Sequence, residues 1–214
     1  MGDKPPDSPD GLAGLTLGQA AERLGAYRWV EQRLFELTGA WAAEATSPDV
    51  RIHLDVVSGQ HAWHTQLWGD RLPVLDGADH DALTRPAGPV LGPLLDQLAR
   101  RRGTLARLAG LYRVVVPRLI VTYDRHLGRA TAAADGPAVR ALRLVRRDEV
   151  EAWQAGEALL EQLLVRPEDA ASAAEAQARM EATVVGSWGG SGLLPWPEEP
   201  GGWAPAGGGP GHVT

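Results

Sequence analysis

The sequence predicts an all-α protein: a four-helix bundle with a long connection between its second and third helices, and a fifth helix after the fourth. Apolar residues recur at helical spacing through four long segments, and helix start signals precede them. The valines at 114–116 suit a strand by residue type, but the periodicity around them favours helix. With 214 residues, the chain is long enough for one domain with a sizeable core.

Start signals delimit the first two helices. Residues 16–19, Thr-Leu-Gly-Gln, form a capping-box pattern, so the first helix is predicted from there to about Ala45. An N-cap serine and a proline at 47–48 predict the start of the second helix, which ends near Gly69. The connection over about 70–89 is long for neighbouring helices and suits a crossover along the bundle.

Prolines and glycines delimit the later helices. The third helix is predicted over about 91–128, with a kink or a split at Pro117, which lacks a backbone donor. The fourth is predicted over about 135–165, with its Asp-Gly start as the cap and Pro167 as the stop. A fifth, alanine-rich helix follows over about 168–185.

The two ends differ in composition from the helical part, which we assign to one domain over 16–185. Residues 1–15 are polar and rich in Pro, Gly and Asp, so we expect them to be disordered. Over 186–214, Gly, Pro and isolated Trp dominate. This composition predicts a flexible tail in which one tryptophan docks back onto the bundle.

Composition excludes several classes of function. The net charge of −6, with arginines interspersed among acids, gives no reason to expect a nucleic-acid partner. The chain has no cysteine, which excludes disulfides, thiolate metal sites and thiol nucleophiles. No apolar run approaches the ~20 residues of a membrane span, and residues 1–14 lack the pattern of a signal peptide. We therefore expect a cytoplasmic protein without a membrane partner.

Polar side chains interrupt the apolar stripes of the predicted helices. His61 and His64 are three residues apart and share an otherwise apolar face of the second helix. Because an unpartnered buried imidazole costs a few kcal/mol, these side chains need partners. Glu31 lies on the apolar stripe of the first helix. Asp148 or Glu149 lies on that of the fourth, and Asp148 is the preferred inward acid.

The third and fourth helices offer further candidates. Tyr112, Tyr123 and His126 belong to the apolar stripe of the third helix. The tyrosines suit either core aromatics with satisfied hydroxyls or redox groups. His126 lies near the helix end, where its side chain suits a cap for the last carbonyls. On the fourth helix, Glu149 and Glu151 are expected to be solvated.

Carboxylates and imidazoles that converge in a bundle core are typical ligands of iron or manganese. Through these residues and the helix order, the segment 20–164 resembles the ferritin-like superfamily. Within it, residues 28–37 and 61–64 resemble ferritin-like proteins that are common in actinobacteria. The resemblance implies a two-iron site built from Glu, Glu-x-x-His, Glu and Glu-x-x-His on four successive helices. Glu31 matches the first of these positions.

The chain departs from that pattern on three helices. On the second, Ser58-x-x-His61 overlaps His61-x-x-His64; on the third, the stripe offers a leucine where a glutamate is expected. On the fourth, Asp148-x-x-Glu151 replaces Glu-x-x-His. The resemblance therefore implies one iron or manganese ion with an incomplete second site. Its ligands would be Glu31, His61, His64 and Asp148, with Glu151, Tyr123, Tyr112 and His126 as further candidates.

Two functions remain open at this stage. If the chain is an enzyme, the resemblance implies an oxygen-using non-haem metal oxidoreductase that acts with dioxygen on an unidentified small molecule. The alternative is a metal-free scaffold or interaction protein. In such a metal-free protein, the two core histidines would hydrogen-bond to Glu31 and Asp148, or Glu31 would form a salt bridge with Arg143 or Arg147. His53 is expected at the surface, and a homodimer through a remaining apolar stripe suits either function.

Overall fold

The computed structural model describes residues 15–73, 79–130, 132–188 and 192–196. These ranges form an all-helical bundle without a strand, which confirms the all-α class. None of their helices has the length and apolar character that a membrane span requires. The helices are α1 Leu17–Glu44, α2 Pro48–Gly69, α3 His80–Leu83, α4 Leu91–Ala99, α5 Thr104–Gly110, α6 Val116–Arg129, α7 Ala132–Leu163 and α8 Pro167–Trp188.

The first two helices form where their start signals predict. Thr16 and Gln19 make a complete capping box: the Gln19 N–H donates to the Thr16 hydroxyl at 3.3 Å, and the Thr16 N–H donates to the Gln19 amide oxygen at 2.9 Å. Pro48 lies in the first turn of α2, while Ser47 makes no side-chain hydrogen bond to it. The start of α2 therefore depends on the fixed proline backbone rather than on a cap.

The third predicted helix is broken before Pro117 rather than at it. α4 ends at Ala99, and residues 100–103 turn the chain, with Gly103 at a φ of 79° that favours glycine. After this turn, α5 and α6 form one continuous helix through a π-helical turn, Leu111–Val115. Pro117 lies two residues after the end of this wider turn, which accommodates a residue without a backbone donor.

The fourth helix starts earlier than its predicted cap. α7 begins at Ala132, so Pro137 lies inside it. Pro137 is the sixth residue of α7, beyond the first turn, so it removes one backbone hydrogen bond from the helix. α8 begins at Pro167, one residue before its predicted start, and continues to Trp188, three residues beyond the predicted limit of 185.

The helices pack so that α1, α2, α6 and α7 surround one core. α1 and α2 are antiparallel, because only residues 45–47 connect them. α2 and the continuous α5–α6 helix run in the same direction. His53 contacts Tyr112 early in each helix, and Trp68 contacts Tyr123 later in each. A parallel pair requires a long return between its members, which agrees with the long connection after α2.

The C-terminal stretch 192–196 packs onto the bundle. Trp196 is buried and contacts the guanidinium groups of Arg23 and Arg129, whose central carbons lie 4.0 and 4.3 Å from its ring centroid. This confirms that a tryptophan of the predicted tail docks back. Residues 189–191 and 197–214 of that tail, like residues 1–14, lie outside the described residues.

Candidate metal centre

Four side chains with metal-ligand chemistry converge in the core: Glu31 from α1, His61 and His64 from α2, and Glu149 from α7. Each of them is at most 1% exposed. The spacing of three residues places both histidines on one face of α2, toward α1 and α7. One candidate donor atom from each residue lies within 4.8 Å of all the others. We call these four residues the candidate centre.

The donor atoms are close enough to interact directly. Glu31 Oε2 lies 2.6 Å from His61 Nδ1 and 3.3 Å from His64 Nδ1. Glu149 Oε1 lies 3.3 Å from each of the same two nitrogen atoms. Each carboxylate therefore contacts both imidazoles, and both imidazoles direct Nδ1 toward the same space.

The carboxylates determine the charge of the two histidines. Burial disfavours a charged imidazole, but Glu149 and Glu31 outweigh this penalty and raise the pKa of His61 to about 9. At His64 the burial penalty is likewise outweighed, by Glu31 and Glu149, and the pKa rises to about 11. Burial alone would raise the pKa of Glu31, yet the two histidines hold it well below its ordinary value. The centre thus strongly favours positive charge between its carboxylates.

Tyr123 and Asp148 contact residues of the candidate centre without belonging to it. The Tyr123 hydroxyl donates to Glu31 Oε1 at 2.6 Å, so both oxygens of this carboxylate are engaged. Burial and the adjacent Glu31 charge raise the pKa of Tyr123 well above its ordinary value, which keeps the hydroxyl protonated as a donor. Asp148 Oδ2 lies 3.4 Å from His64 Nε2, the ring nitrogen that does not contact Glu31.

The structure brings three of the four predicted ligands together with Glu149. Glu31, His61 and His64 lie in the candidate centre as expected. Glu149 was expected to be solvated, and that prediction is wrong, because its side chain is 1% exposed and Asp148 is 17% exposed. The two acids differ by about 100° around α7, and packing turns the second one inward. A ligand role for Asp148 stays a prediction.

Other sequence candidates on α7 have different partners. Glu151 is exposed, and its carboxylate lies 3.9 Å from the guanidinium of Arg147. Arg147 also lies 3.6 Å from Asp148. The buried partners of Glu31 are the two histidines and Tyr123, so the alternative of an arginine partner on this helix is wrong.

Tyr112 pairs with His53, which the sequence alone placed at the surface. The phenol oxygen lies 2.6 Å from His53 Nε2, and this imidazole is half-buried. The buried Tyr112 ring fills the space beside Gly156, where a Cβ would lie 2.3 Å from ring carbons. Burial, together with the charge of Glu149, raises the pKa of Tyr112. The tyrosine sits in the π-helical turn, a feature frequent at functional sites.

His126 occupies a separate buried environment. Its Nδ1 lies 3.1 Å from the Tyr27 hydroxyl, which accepts a hydrogen bond from Arg23 Nε at 2.8 Å. Trp196 packs against the imidazole with ring centroids 5.8 Å apart. Burial and the positive charge of Arg23 lower the pKa of His126 to about 3. Its side chain therefore makes a core contact instead of the expected helix cap, and it lies outside the candidate centre.

The geometry of the candidate centre fits a metal ion. Donors held 2.0–2.2 Å from a tetrahedral ion lie about 3.3–3.6 Å apart, and three of the four N···O separations in the centre are 3.3 Å. Glu149 Oε2 and His61 Nε2 are buried without a hydrogen-bond partner in the described part of the chain. Two imidazoles and two carboxylates are a donor set that iron, manganese and zinc accept.

A comparison of the chain with protein-family models, curated proteins and solved structures found no match. The assignment of function therefore depends on the chemistry and geometry of the candidate centre.

Proposed function

We propose that the chain binds one divalent iron or manganese ion through Glu31, His61, His64 and Glu149. The observation that carries this proposal is the convergence of four buried donors from three helices. Their nitrogen and oxygen atoms approach to 2.6–3.3 Å, so a single ion can reach all of them.

Charge balance supports a divalent ion at this position. Two carboxylates buried in an apolar core require compensating positive charge, since an unpaired buried charge is strongly destabilising. Protons on His61 and His64 supply two charges, and one divalent ion supplies the same amount. Metal binding would then release the imidazole protons, so affinity should rise with pH while the free histidines are protonated.

The contacts around the centre also support a metal site. A metal-ligating histidine commonly donates its second ring N–H to a carboxylate, which fixes the ring and raises its basicity. Asp148 lies at the corresponding nitrogen of His64. The Tyr123 hydroxyl orients the Glu31 carboxylate in a similar way. Under this proposal, Asp148 positions a ligand rather than acting as one.

We further propose a ferritin-like arrangement for the bundle, supported by the parallel course of α2 and α5–α6 and by donors projecting inward from α1, α2 and α7. The third long helix contributes Tyr123 instead of a carboxylate, so the proposal is for one ion. Bound iron or manganese would supply one-electron chemistry toward dioxygen. An oxygen-using oxidoreductase is the corresponding enzyme class, and this last step is by analogy of fold.

Elemental analysis tests the proposal directly. The purified chain is loaded anaerobically with ferrous iron or manganese, desalted and analysed for metal and protein. We expect one ion per chain. Glu149→Gln keeps the volume but removes the charge and one donor, and should weaken binding by more than the roughly 10–100-fold typical of an outer-shell change.

Glu151→Gln is the matched control, because it makes the same change two residues away on the exposed side of α7. Circular dichroism establishes that both variants keep their helices. Absence of metal from the parent chain after loading with either ferrous iron or manganese would contradict the proposal and favour a metal-free scaffold. Equal metal loss in both variants would point to adventitious surface binding.

A further inference from the structure

A surface depression beside the turn between α4 and α5 is lined by arginines. Arg100, Arg101 and Arg102 follow α4 directly, and Arg179 of α8 lines the same cavity of about 170 Å³. The turn that ends at Gly103 holds the three consecutive arginines out of a helix. This feature is separate from the candidate centre and plays no part in the proposed metal binding.

The depression carries a local positive charge in an acidic protein. Four guanidinium groups and the single carboxylate of Glu175 line it, which leaves a charge of +3, whereas the whole chain carries −6. Glu175 is ion-paired with Arg179. Within the described ranges, Arg100, Arg101 and Arg102 have no ion pair with a carboxylate. The positive charge is therefore unbalanced where the three arginines meet.

Arg101 is the group least satisfied by the protein itself. Its Nε is buried and has no hydrogen-bond partner in the described part of the chain. A buried donor without an acceptor costs free energy, and the residue that carries this donor lines the depression. Burial and the like charges of Arg179 and Arg100 also lower the pKa of Arg101, as expected where cations are crowded without counter-charge.

We propose that this depression binds a phosphate-class oxyanion, either inorganic phosphate or the phosphate group of a small monoester. Guanidinium forks match the spacing of phosphate oxygens and donate charge-assisted hydrogen bonds to them, and the Ser172 hydroxyl offers a further donor. The negative charge of the whole chain favours a small anion over a long nucleic-acid strand.

Isothermal titration calorimetry of the full chain tests the site, with inorganic phosphate and phenyl phosphate as separate titrants at constant ionic strength set by chloride. We expect saturable binding to one site. Arg101→Gln should weaken it about tenfold or more, because charge-assisted hydrogen bonds are lost. Arg143→Gln, an exposed arginine of α7, is the matched control and should leave binding unchanged.

Glu175→Gln tests the opposite direction. Within the described part of the chain, Glu175 is the only carboxylate that lines the depression. Its replacement also releases Arg179, so phosphate should bind more tightly, a gain that a damaged fold would not produce. Tighter binding of phenyl phosphate or of inorganic phosphate identifies the source of the anion, and either supports the site. The proposal is overturned if no saturable binding exceeds the chloride background, if Arg143→Gln weakens binding as much as Arg101→Gln, or if Glu175→Gln weakens it.

Discussion

Two buried histidine environments in this bundle have opposite electrostatics. At the candidate centre, two carboxylates overcome the burial penalty and raise the pKa of His61 to about 9. At the far end of α6, burial acts with the positive charge of Arg23 and lowers the pKa of His126 to about 3. The two environments are close neighbours, because the rings of Tyr27 and Tyr123, one from each, lie 4.9 Å apart.

The comparison shows that burial alone does not determine the charge of a core histidine. His61 is 1% exposed and His126 is 4% exposed, so burial disfavours the charged form of both imidazoles to a similar extent. The charge of the neighbouring side chains decides the sign of the pKa shift. One environment therefore favours a cation, while the other keeps a neutral imidazole as partner to a tyrosine hydroxyl.

Removing one carboxylate from the candidate centre should give the largest change in the free energy of unfolding. Glu31→Gln leaves two buried imidazoles beside a single carboxylate, so we expect the free energy of unfolding without added metal to fall by about 3–5 kcal/mol. Urea unfolding at pH 7 measures it. The control is Glu36→Gln, an exposed change on the same helix that ends one ion pair with Arg33, expected to cost less than about 1 kcal/mol. Similar losses in both variants would contradict the account.

Removing the tryptophan that covers His126 should change both the pKa of this histidine and the free energy of unfolding. Trp196→Ala uncovers His126, so its pKa should move from about 3 toward the ordinary value of 6.5. Stability should fall by about 3 kcal/mol, as for other buried tryptophans replaced by alanine. An NMR titration of the imidazole and thermal unfolding measure the two quantities. Trp63→Ala, at a residue 44% exposed, serves as control, and an unmoved His126 pKa would show that the tail does not shield it.

A third effect concerns acid, and it accumulates over several pH units. The pKa of His126 is lowered on folding. The unfolded chain therefore binds a proton at this imidazole below about pH 6.5, whereas the folded chain binds it only near pH 3. Stability should therefore decrease with falling pH across this window, by about 1.4 kcal/mol per unit from this group. His126→Asn keeps an acceptor for Tyr27 and should flatten that part of the urea-unfolding profile. An unchanged slope would mean that other groups cause the acid sensitivity.

Much of the candidate centre could be predicted because its ligands lie on regular helices. Glu31, His61 and His64 interrupt apolar stripes, and a polar residue on such a stripe must meet a partner in the core. The same argument preferred Asp148 to Glu149 and was wrong, since adjacent residues flank the inward direction of a helix and packing decides between them. The Tyr112–His53 pair was missed because His53 is only half-buried at the edge of the inward face of α2, where residue type alone assigned it to the surface.

Local signals in the sequence determined the all-α class, the capped start of α1 at Thr16, the start of α2 at Pro48 and the spacing of the two core histidines. These features depend on backbone preferences and on contacts within one helix turn. Tertiary structure decided the break at Gly103, the inward turn of Glu149 and the charge of each buried histidine. Those properties depend on through-space packing and on the charges that other helices bring near, which residues distant in sequence supply.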